Sequence, residues 1–170
     1  MNRDISREGM REIFGKLRAR VPGIAIRTSV MVGFPGESDE DFEQLRDFVI
    51  EQKFDHLGCF TYSQEEGTVA GRMKDQIEEQ LKLDRQGEIM AIQREISADR
   101  LTDYVGKTVD VLVKGLSDES DLLAEGRLST QAPEVDGVVY INDGDFKPGT
   151  IQRVLITDSH DYDLVGKVIS

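Results

Sequence analysis

The first hundred residues alternate between helical and strand-like hydrophobic patterns. Apolar residues at helical spacing predict a helix from about Ser6 to Ala19, which ends at Pro22 and Gly23. A run of branched residues then predicts a strand at 24–32, apolar enough to be buried on both faces as in a parallel sheet. The breaker cluster at 33–36 ends this strand.

A second helix and a second strand follow. Ser38 and Asp41 have the spacing of a capping box, and the helix behind them is predicted to bury Phe42, Leu45, Phe48 and Val49. A short apolar run at 56–62 predicts the next strand. Strand, loop, helix and strand in this order form one βαβ unit.

A long amphipathic pattern occupies 77–101 and predicts a single helix. It either joins two domains or is an ordinary packed helix, and the pattern leaves both interpretations open. The apolar positions at helical spacing are Ile77, Leu81, Ile89, Ile92 and Ile96.

From Tyr104 onward the pattern contains only short strands and turns. Glycine, aspartate and proline separate five apolar runs, which predicts a small, closed or nearly closed antiparallel β-barrel. The five predicted strands are 109–113, 122–127, 137–141, 151–156 and 164–169.

One βαβ unit is too small to form a stable parallel sheet, because doubly wound and barrel α/β domains need several such units. We therefore expect that the chain begins in the middle of an α/β domain and that Met1 is an internal methionine. The expected domains are 1–74 for the α/β part, 75–103 for the connecting helix and 104–170 for the barrel. Unpaired strand edges in the α/β part predict self-association.

Composition and charge narrow the function classes. The 170 residues include 33 Asp plus Glu and 21 Lys plus Arg, a formal net charge of −12, which argues against free nucleic acid as a partner. No apolar run approaches the roughly 20 residues of a membrane-spanning helix, which predicts a protein without a membrane partner. The single cysteine, Cys59, excludes an intramolecular disulfide and fits a cytoplasmic location. It lies within a predicted strand, so we interpret it as a core thiol.

In parallel α/β architectures, ligands bind at the carboxyl ends of the strands. Two segments of this chain fall there, the glycine-rich loop 33–37 and the loop 61–68. Glycine allows a backbone to approach a ligand closely. A plain strand-to-helix loop explains the same pattern and remains an alternative.

The residues in these segments resemble the radical S-adenosylmethionine methylthiotransferases. Residues 25–42, including Gly33-Phe-Pro-Gly-Glu37, look like the fifth strand and the following helix of that family's partial (β/α) TIM-like barrel, and 54–68 look like its sixth strand. The resemblance implies an α/β plus all-β fold, with the carboxyl-terminal part of a radical domain before the small barrel. It also implies cofactor-binding residues near S-adenosylmethionine: Gly33, Phe34, Pro35, Gly36, Glu37, Phe60 and Tyr62.

The full-length family uses S-adenosylmethionine and two 4Fe–4S clusters, which cysteine motifs hold. Because this chain has only Cys59, it holds neither cluster, and we expect it to be catalytically silent by itself, with no metal ligands and no bound cofactor.

Within the family, the chain resembles the RimO-type branch, which modifies a ribosomal protein, more than the MiaB-type branch, which modifies tRNA. The tRNA branch carries Arg-Pro-Gly-Thr after the sixth strand, where this chain has Glu65-Glu66-Gly67-Thr68. Two carboxylates in place of a cation suit a basic substrate rather than a phosphate-rich one. The resemblance implies transfer of a methylthio group to the β-carbon of an aspartate in small-subunit ribosomal protein S-twelve. A tRNA methylthiotransferase, a non-enzymatic OB-like module and two merely solvated carboxylates remain alternatives.

The barrel half resembles a TRAM domain at 104–109, 124–128 and 147–150. Such domains often bind RNA, but residues 104–170 contain 12 Asp plus Glu and only 6 Lys plus Arg. The acidic loops are therefore interpreted as a docking face for the basic ribosomal protein, with a solvated surface as the alternative. Their candidate recognition residues are Asp118, Glu119, Asp121, Asp158, Asp161 and Asp163.

Overall fold

The computed structural model describes residues 5–118, 120 and 122–169. The chain divides between Gln93 and Arg94 into two compact units. The first unit contains helices α1 (Arg7–Arg20) and α2 (Asp39–Gln52), strands β1 (Arg27–Val32) and β2 (His56–Thr61), a short 3₁₀ turn at Ala70–Arg72 and the first part of helix α3 (Glu79–Thr102).

Helix α2 begins with the capping box that the sequence predicts. The Ser38 hydroxyl accepts the Asp41 backbone N–H at 3.1 Å, and the Asp41 carboxylate accepts the Ser38 N–H at 3.0 Å. Three of the four residues predicted to be buried, Phe42, Phe48 and Val49, are buried, whereas Leu45 is half-buried. Local spacing was sufficient here because both features depend only on neighbours along one helix.

Strands β1 and β2 pair in parallel, with Val30 opposite Cys59 and Met31 opposite Phe60. Burial alternates along both strands, so one face of the sheet is covered and the other is exposed. The prediction that the first strand is buried on both faces is therefore wrong. Arg27, Ser29 and Met31 are the exposed residues of β1, and they lie on one face because successive side chains of a strand point to opposite faces.

Side chains of helix α3 join it to β2 and to the residues that flank this strand. They donate hydrogen bonds to one backbone carbonyl oxygen within β2, one before the strand and one after it. The three bonds are Lys82 Nζ to Tyr62 O at 3.1 Å, Gln86 Nε2 to Cys59 O at 2.7 Å and Gln93 Nε2 to Phe54 O at 3.0 Å.

The buried face of α3 is more polar than its hydrophobic pattern predicts. Ile89 and Ile96 are buried as expected, but Leu81 is 39% exposed. Lys82 and Arg85 are instead 5% and 4% exposed. The first turns of α3 thus contact polar groups that follow the two strands. The hydrophobic pattern of the helix alone does not predict these contacts.

The second unit is built around a closed barrel with strand order β3-β4-β5-β7-β6. Its core is a cluster of buried apolar side chains, chiefly valine, isoleucine and leucine. The strands are β3 (Thr108–Leu116), β4 (Ala124–Arg127), β5 (Val139–Asp143), β6 (Ile151–Ser159) and β7 (Leu164–Val168).

The closed five-stranded barrel is as predicted, but its strands are not all antiparallel. β5 and β7 pair in parallel, whereas the other four pairs are antiparallel. The difference arises because β6 does not return beside β5. It pairs with β3 instead, and β7 then turns back between β5 and β6 in the direction of β5.

In the part of the chain that the structure describes, no helix combines the length and apolar character needed to cross a membrane.

Candidate ligand site at the strand ends

The loop 33–37 follows β1 directly and is closed on itself by Glu37. Both carboxylate oxygens of Glu37 lie 3.0 Å from the Gly33 backbone nitrogen, which donates to them. The Glu37 N–H in turn donates to Phe34 O at 2.9 Å. Gly33 and Gly36 have φ values of 74° and 84°, where glycine is favoured because it has no Cβ. The loop is therefore a fixed turn.

Arg85 of α3 holds this turn from outside. Its Nη1 donates to Glu37 Oε1 and its Nη2 to Asp39 Oδ1, each at 2.6 Å. The side chains of Arg85 and Glu37 are 4% and 11% exposed, so this ion pair is largely shielded from water. The guanidinium group also lies 5.2 Å from the centre of the Phe42 ring. The two ion pairs of Arg85 and its contact with the Phe42 ring thus join the loop 33–37 to helices α2 and α3.

Lys82 occupies the space beside Gly33. A Cβ atom at Gly33 would lie 2.3 Å from Lys82 Cγ, so only glycine leaves room for this side chain. The ammonium group donates to Tyr62 O at 3.1 Å and pairs with Glu79 at 3.0 Å. One residue of α3 therefore contacts the carboxyl ends of both parallel strands.

Two aromatic residues predicted near the cofactor contact each other. The Phe34 and Tyr62 rings meet edge to face with centroids 5.3 Å apart. Tyr62 is 8% exposed, and its buried hydroxyl has no hydrogen-bond partner among the described residues. Phe60 differs from both, because it is 58% exposed on the open face of the sheet. The structure thus brings the predicted residues to one edge but gives them different environments.

The open sheet face is a feature that the sequence did not single out. Met31 and Phe60 lie side by side in the parallel register and are 42% and 58% exposed. The Phe60 ring covers Gly58, where an added Cβ would contact it at 3.5 Å. Alternation of polar and apolar residues in β1 was the signal for this face, but the high apolar content of the strand obscured it.

Glu65 and Glu66 lie on an exposed loop that has its own hydrogen bonds. Thr68 Oγ1 donates to Glu65 O at 2.8 Å and accepts the Gly71 N–H at 2.9 Å. Gly71 is required at its position, because a Cβ there would lie 2.2 Å from Glu65 O. The two carboxylates are therefore displayed to solvent by an ordered loop.

The predicted recognition residues of the barrel separate into different environments. Asp118 and Asp158 are exposed, as is Asp161, which lies 3.8 Å from Arg94. Asp163 is half-buried, and its carboxylate accepts the Val138 N–H at 2.8 Å, so it supports the barrel. Asp161 and Asp163 border a groove of about 480 Å³. Glu119 and Asp121 lie outside the described residues.

Cys59 is buried, as predicted for a core thiol. Burial, together with the negative charge of Glu37, raises the pKa of its thiol to about 11. Among the described residues, no group of three or more His, Cys, Asp or Glu side chains could hold a metal ion. The side chains in the described part of the chain therefore do not fit an iron–sulfur cluster.

The amino-acid sequence of the chain matches a family model and several known proteins. A family model for the TRAM domain matches residues 105–169. The chain is 47% identical over 169 residues to the ribosomal protein uS12 methylthiotransferase RimO of Bdellovibrio bacteriovorus, covering 99% of this chain and 37% of that protein. The same-named protein of Anaeromyxobacter sp. strain Fw109-5 is 50% identical over 161 residues, covering 95% and 34%.

The protein of that name from Geobacter sulfurreducens is 48% identical over all 170 residues, which is 38% of its length. The chain thus spans little more than a third of the length of the curated relatives it matches. The resemblance to the RimO-type branch and to a TRAM domain is confirmed by these matches. With near-complete coverage of the chain at this level of identity, the protein belongs to the RimO family of methylthiotransferases.

Proposed function

We propose that this chain is part of a radical S-adenosylmethionine methylthiotransferase that adds a methylthio group to the β-carbon of an aspartate in ribosomal protein S-twelve. The main support is the identity of 47–50% to proteins named as uS12 methylthiotransferases, sustained over nearly the whole chain. In this proposal the enzyme acts in the cytoplasm on a basic ribosomal protein, and its iron–sulfur centres are held by residues outside this chain.

We assign the S-adenosylmethionine contacts to the strand ends and the open sheet face. The site fits such a ligand in two respects. Phe60 and Met31 offer an exposed apolar surface to a nucleoside, and the buried Tyr62 hydroxyl lacks a partner within the described part of the chain. When bound, S-adenosylmethionine supplies the radical chemistry. The residues of this chain bind and orient it, through the fixed turn at 33–37 and the surface around Phe60.

The proposed reaction is tested with the longest open reading frame that contains the chain, purified without oxygen and supplied with iron, sulfide and S-adenosylmethionine. We expect mass spectrometry to show one added methylthio group on ribosomal protein S-twelve and none on tRNA. A methylthio group on tRNA, with the ribosomal protein unmodified, would favour the tRNA branch. Absence of both products would contradict the enzyme assignment.

We propose that Glu65 and Glu66 recognise the basic substrate. The double variant Glu65→Lys/Glu66→Lys should weaken binding of the ribosomal protein about tenfold at low salt, since each exposed ion pair is worth up to about 1 kcal/mol. The matched control is Glu43→Lys/Glu95→Lys, which changes the net charge equally at two exposed helix positions. Equal weakening by both double variants would mean that only overall charge matters. In that case the loop has no specific role.

A further inference from the structure

The turn at 33–37 is joined to helix α3 at two separate points. Arg85 binds the Glu37 carboxylate that closes the turn, and Lys82 fills the space over Gly33. Both side chains are at least nine-tenths buried, although lysine and arginine are rarely buried to this degree without a specific partner.

The contacts of Arg85 explain how the turn keeps its shape. The Glu37 carboxylate accepts the Gly33 N–H through both oxygens and the Arg85 guanidinium through Oε1. Without the guanidinium, the Glu37 carboxylate, which is only 11% exposed, would have no cation beside it. Movement of this carboxylate into water would then become favourable. The Gly33 N–H would then lose its acceptor, and the turn would open.

Lys82 adds a second constraint at the neighbouring strand end. Its ammonium group donates to Tyr62 O, directly after β2, while its aliphatic part lies against Gly33, directly after β1. The two strand ends therefore keep their spacing through one side chain. The Lys82 ammonium also lies 5.7 Å from the centre of the Tyr62 ring.

We propose that Arg85 and Lys82 are positioning residues, which hold the turn 33–37 and the end of β2 in the form that binds S-adenosylmethionine. This inference rests on the proposed function, since it assigns the ligand of that site. The two side chains act through Glu37, Gly33 and the backbone of Tyr62.

The test compares Arg85→Gln with the control Arg46→Gln in the same full open reading frame. Arg46 also joins α2 to α3, through Glu88 at 3.4 Å, but it does not contact the turn. Hydrogen exchange of peptides covering 33–37 and equilibrium binding of S-adenosylmethionine are measured for both variants and the wild type. Arg85→Lys tests rescue, because lysine keeps the charge but not the two-pronged geometry.

We expect faster exchange of the turn in Arg85→Gln than in Arg46→Gln. If the binding-competent fraction falls to about a tenth, the apparent Kd for S-adenosylmethionine rises about tenfold. Arg85→Lys should fall between wild type and Arg85→Gln. If Arg85→Gln does not fold, Lys82→Met decides, because methionine keeps the aliphatic contact with Gly33 and removes the hydrogen bond to Tyr62 O.

An unchanged Kd in a folded Arg85→Gln protein would overturn the proposal, as would an equal rise of the Kd in Arg46→Gln. A wild-type protein that fails to bind S-adenosylmethionine would instead overturn the proposed function. Hydrogen exchange still tests the positioning role in that case. Equal exchange of the turn 33–37 in wild type and Arg85→Gln would contradict this role.

Discussion

Gly33 combines two constraints at a single residue. Its φ of 74° is unfavourable for any residue with a Cβ, and the space beside its Cα is filled by Lys82. Gly23 has nearly the same φ, 76°, but an added Cβ there would meet nothing within 4 Å. Alanine substitutions at these two glycines therefore distinguish two contributions to the free energy of unfolding, the backbone conformation and the crowding of the new Cβ.

We expect Gly33→Ala to lower the free energy of unfolding by about 2–4 kcal/mol and Gly23→Ala by about 1–2 kcal/mol, since crowding adds to the backbone cost. Urea titrations followed by circular dichroism measure both. Equal losses would show that the Lys82 side chain moves aside without penalty, and that the conformation of Gly33 alone determines its identity.

The Cys59 thiol gives a prediction for pH dependence. Its pKa is raised to about 11, so the folded protein favours the neutral thiol. We expect slow reaction with a thiol reagent at pH 8, a rate that rises with pH toward 11, and rapid reaction in urea. Because the folded pKa lies above the ordinary value of 9.0, the contribution of this group to stability is present below pH 9 and is lost as the pH rises to about 11. Rapid reaction of the native protein at pH 8 would contradict this environment.

Residues differ in how far the sequence predicts their roles. Ser38 and Asp41 were predicted as a cap because their interaction spans three positions of one segment. The burial of Lys82 and Arg85 was not predicted, because the Tyr62 carbonyl and the Glu37 carboxylate that they contact lie 20 and 48 positions away along the chain. Their spacing to Ile89 on the same helical face was the available signal, but burial of two cations is recognised only once their acceptors are known.

At the scale of elements, helix α3 is joined to β2 and its flanking residues by side chains. They donate to the carbonyl oxygens of Phe54, Cys59 and Tyr62. Self-association through exposed strand edges stays a prediction. β1 pairs only with β2 among the described residues.

Replacing Gln86 by leucine should destabilise the first unit by about 1–2 kcal/mol, because the Cys59 carbonyl would lose its 2.7 Å hydrogen bond in a half-buried setting. The control is Gln80→Leu on the same helix, where the exposed amide donates to the exposed Asp84 carboxylate at 2.9 Å. Thermal unfolding of both variants gives the comparison. If the two variants melt together, water satisfies the Cys59 carbonyl as well as α3 does.

Strand existence was easier to predict than strand direction. All five barrel strands were predicted at nearly their observed positions, because apolar runs and turn residues mark them locally. The parallel pairing of β5 with β7 was missed, since it depends on β6 crossing to β3 rather than on any property of β7 itself.

At the scale of the whole molecule, the acidic charge does not identify one recognition surface. Residues 1–103 carry 21 Asp plus Glu and 15 Lys plus Arg, so both halves of the chain have the same net charge of −6. What distinguishes the candidate surfaces is the local structure that displays their carboxylates. The ordered loop with Glu65 and Glu66 meets that criterion, whereas Asp163 is engaged within the barrel.

The position of β7 has a consequence for the synthesis of the protein. β7 is the last of the five strands along the chain, yet it pairs with both β5 and β6 and so completes the ring. A nascent chain that has not reached Leu164 leaves the facing edges of β5 and β6 open, in the form that chaperones and proteases detect. The barrel therefore closes only after its fifth strand has been synthesised.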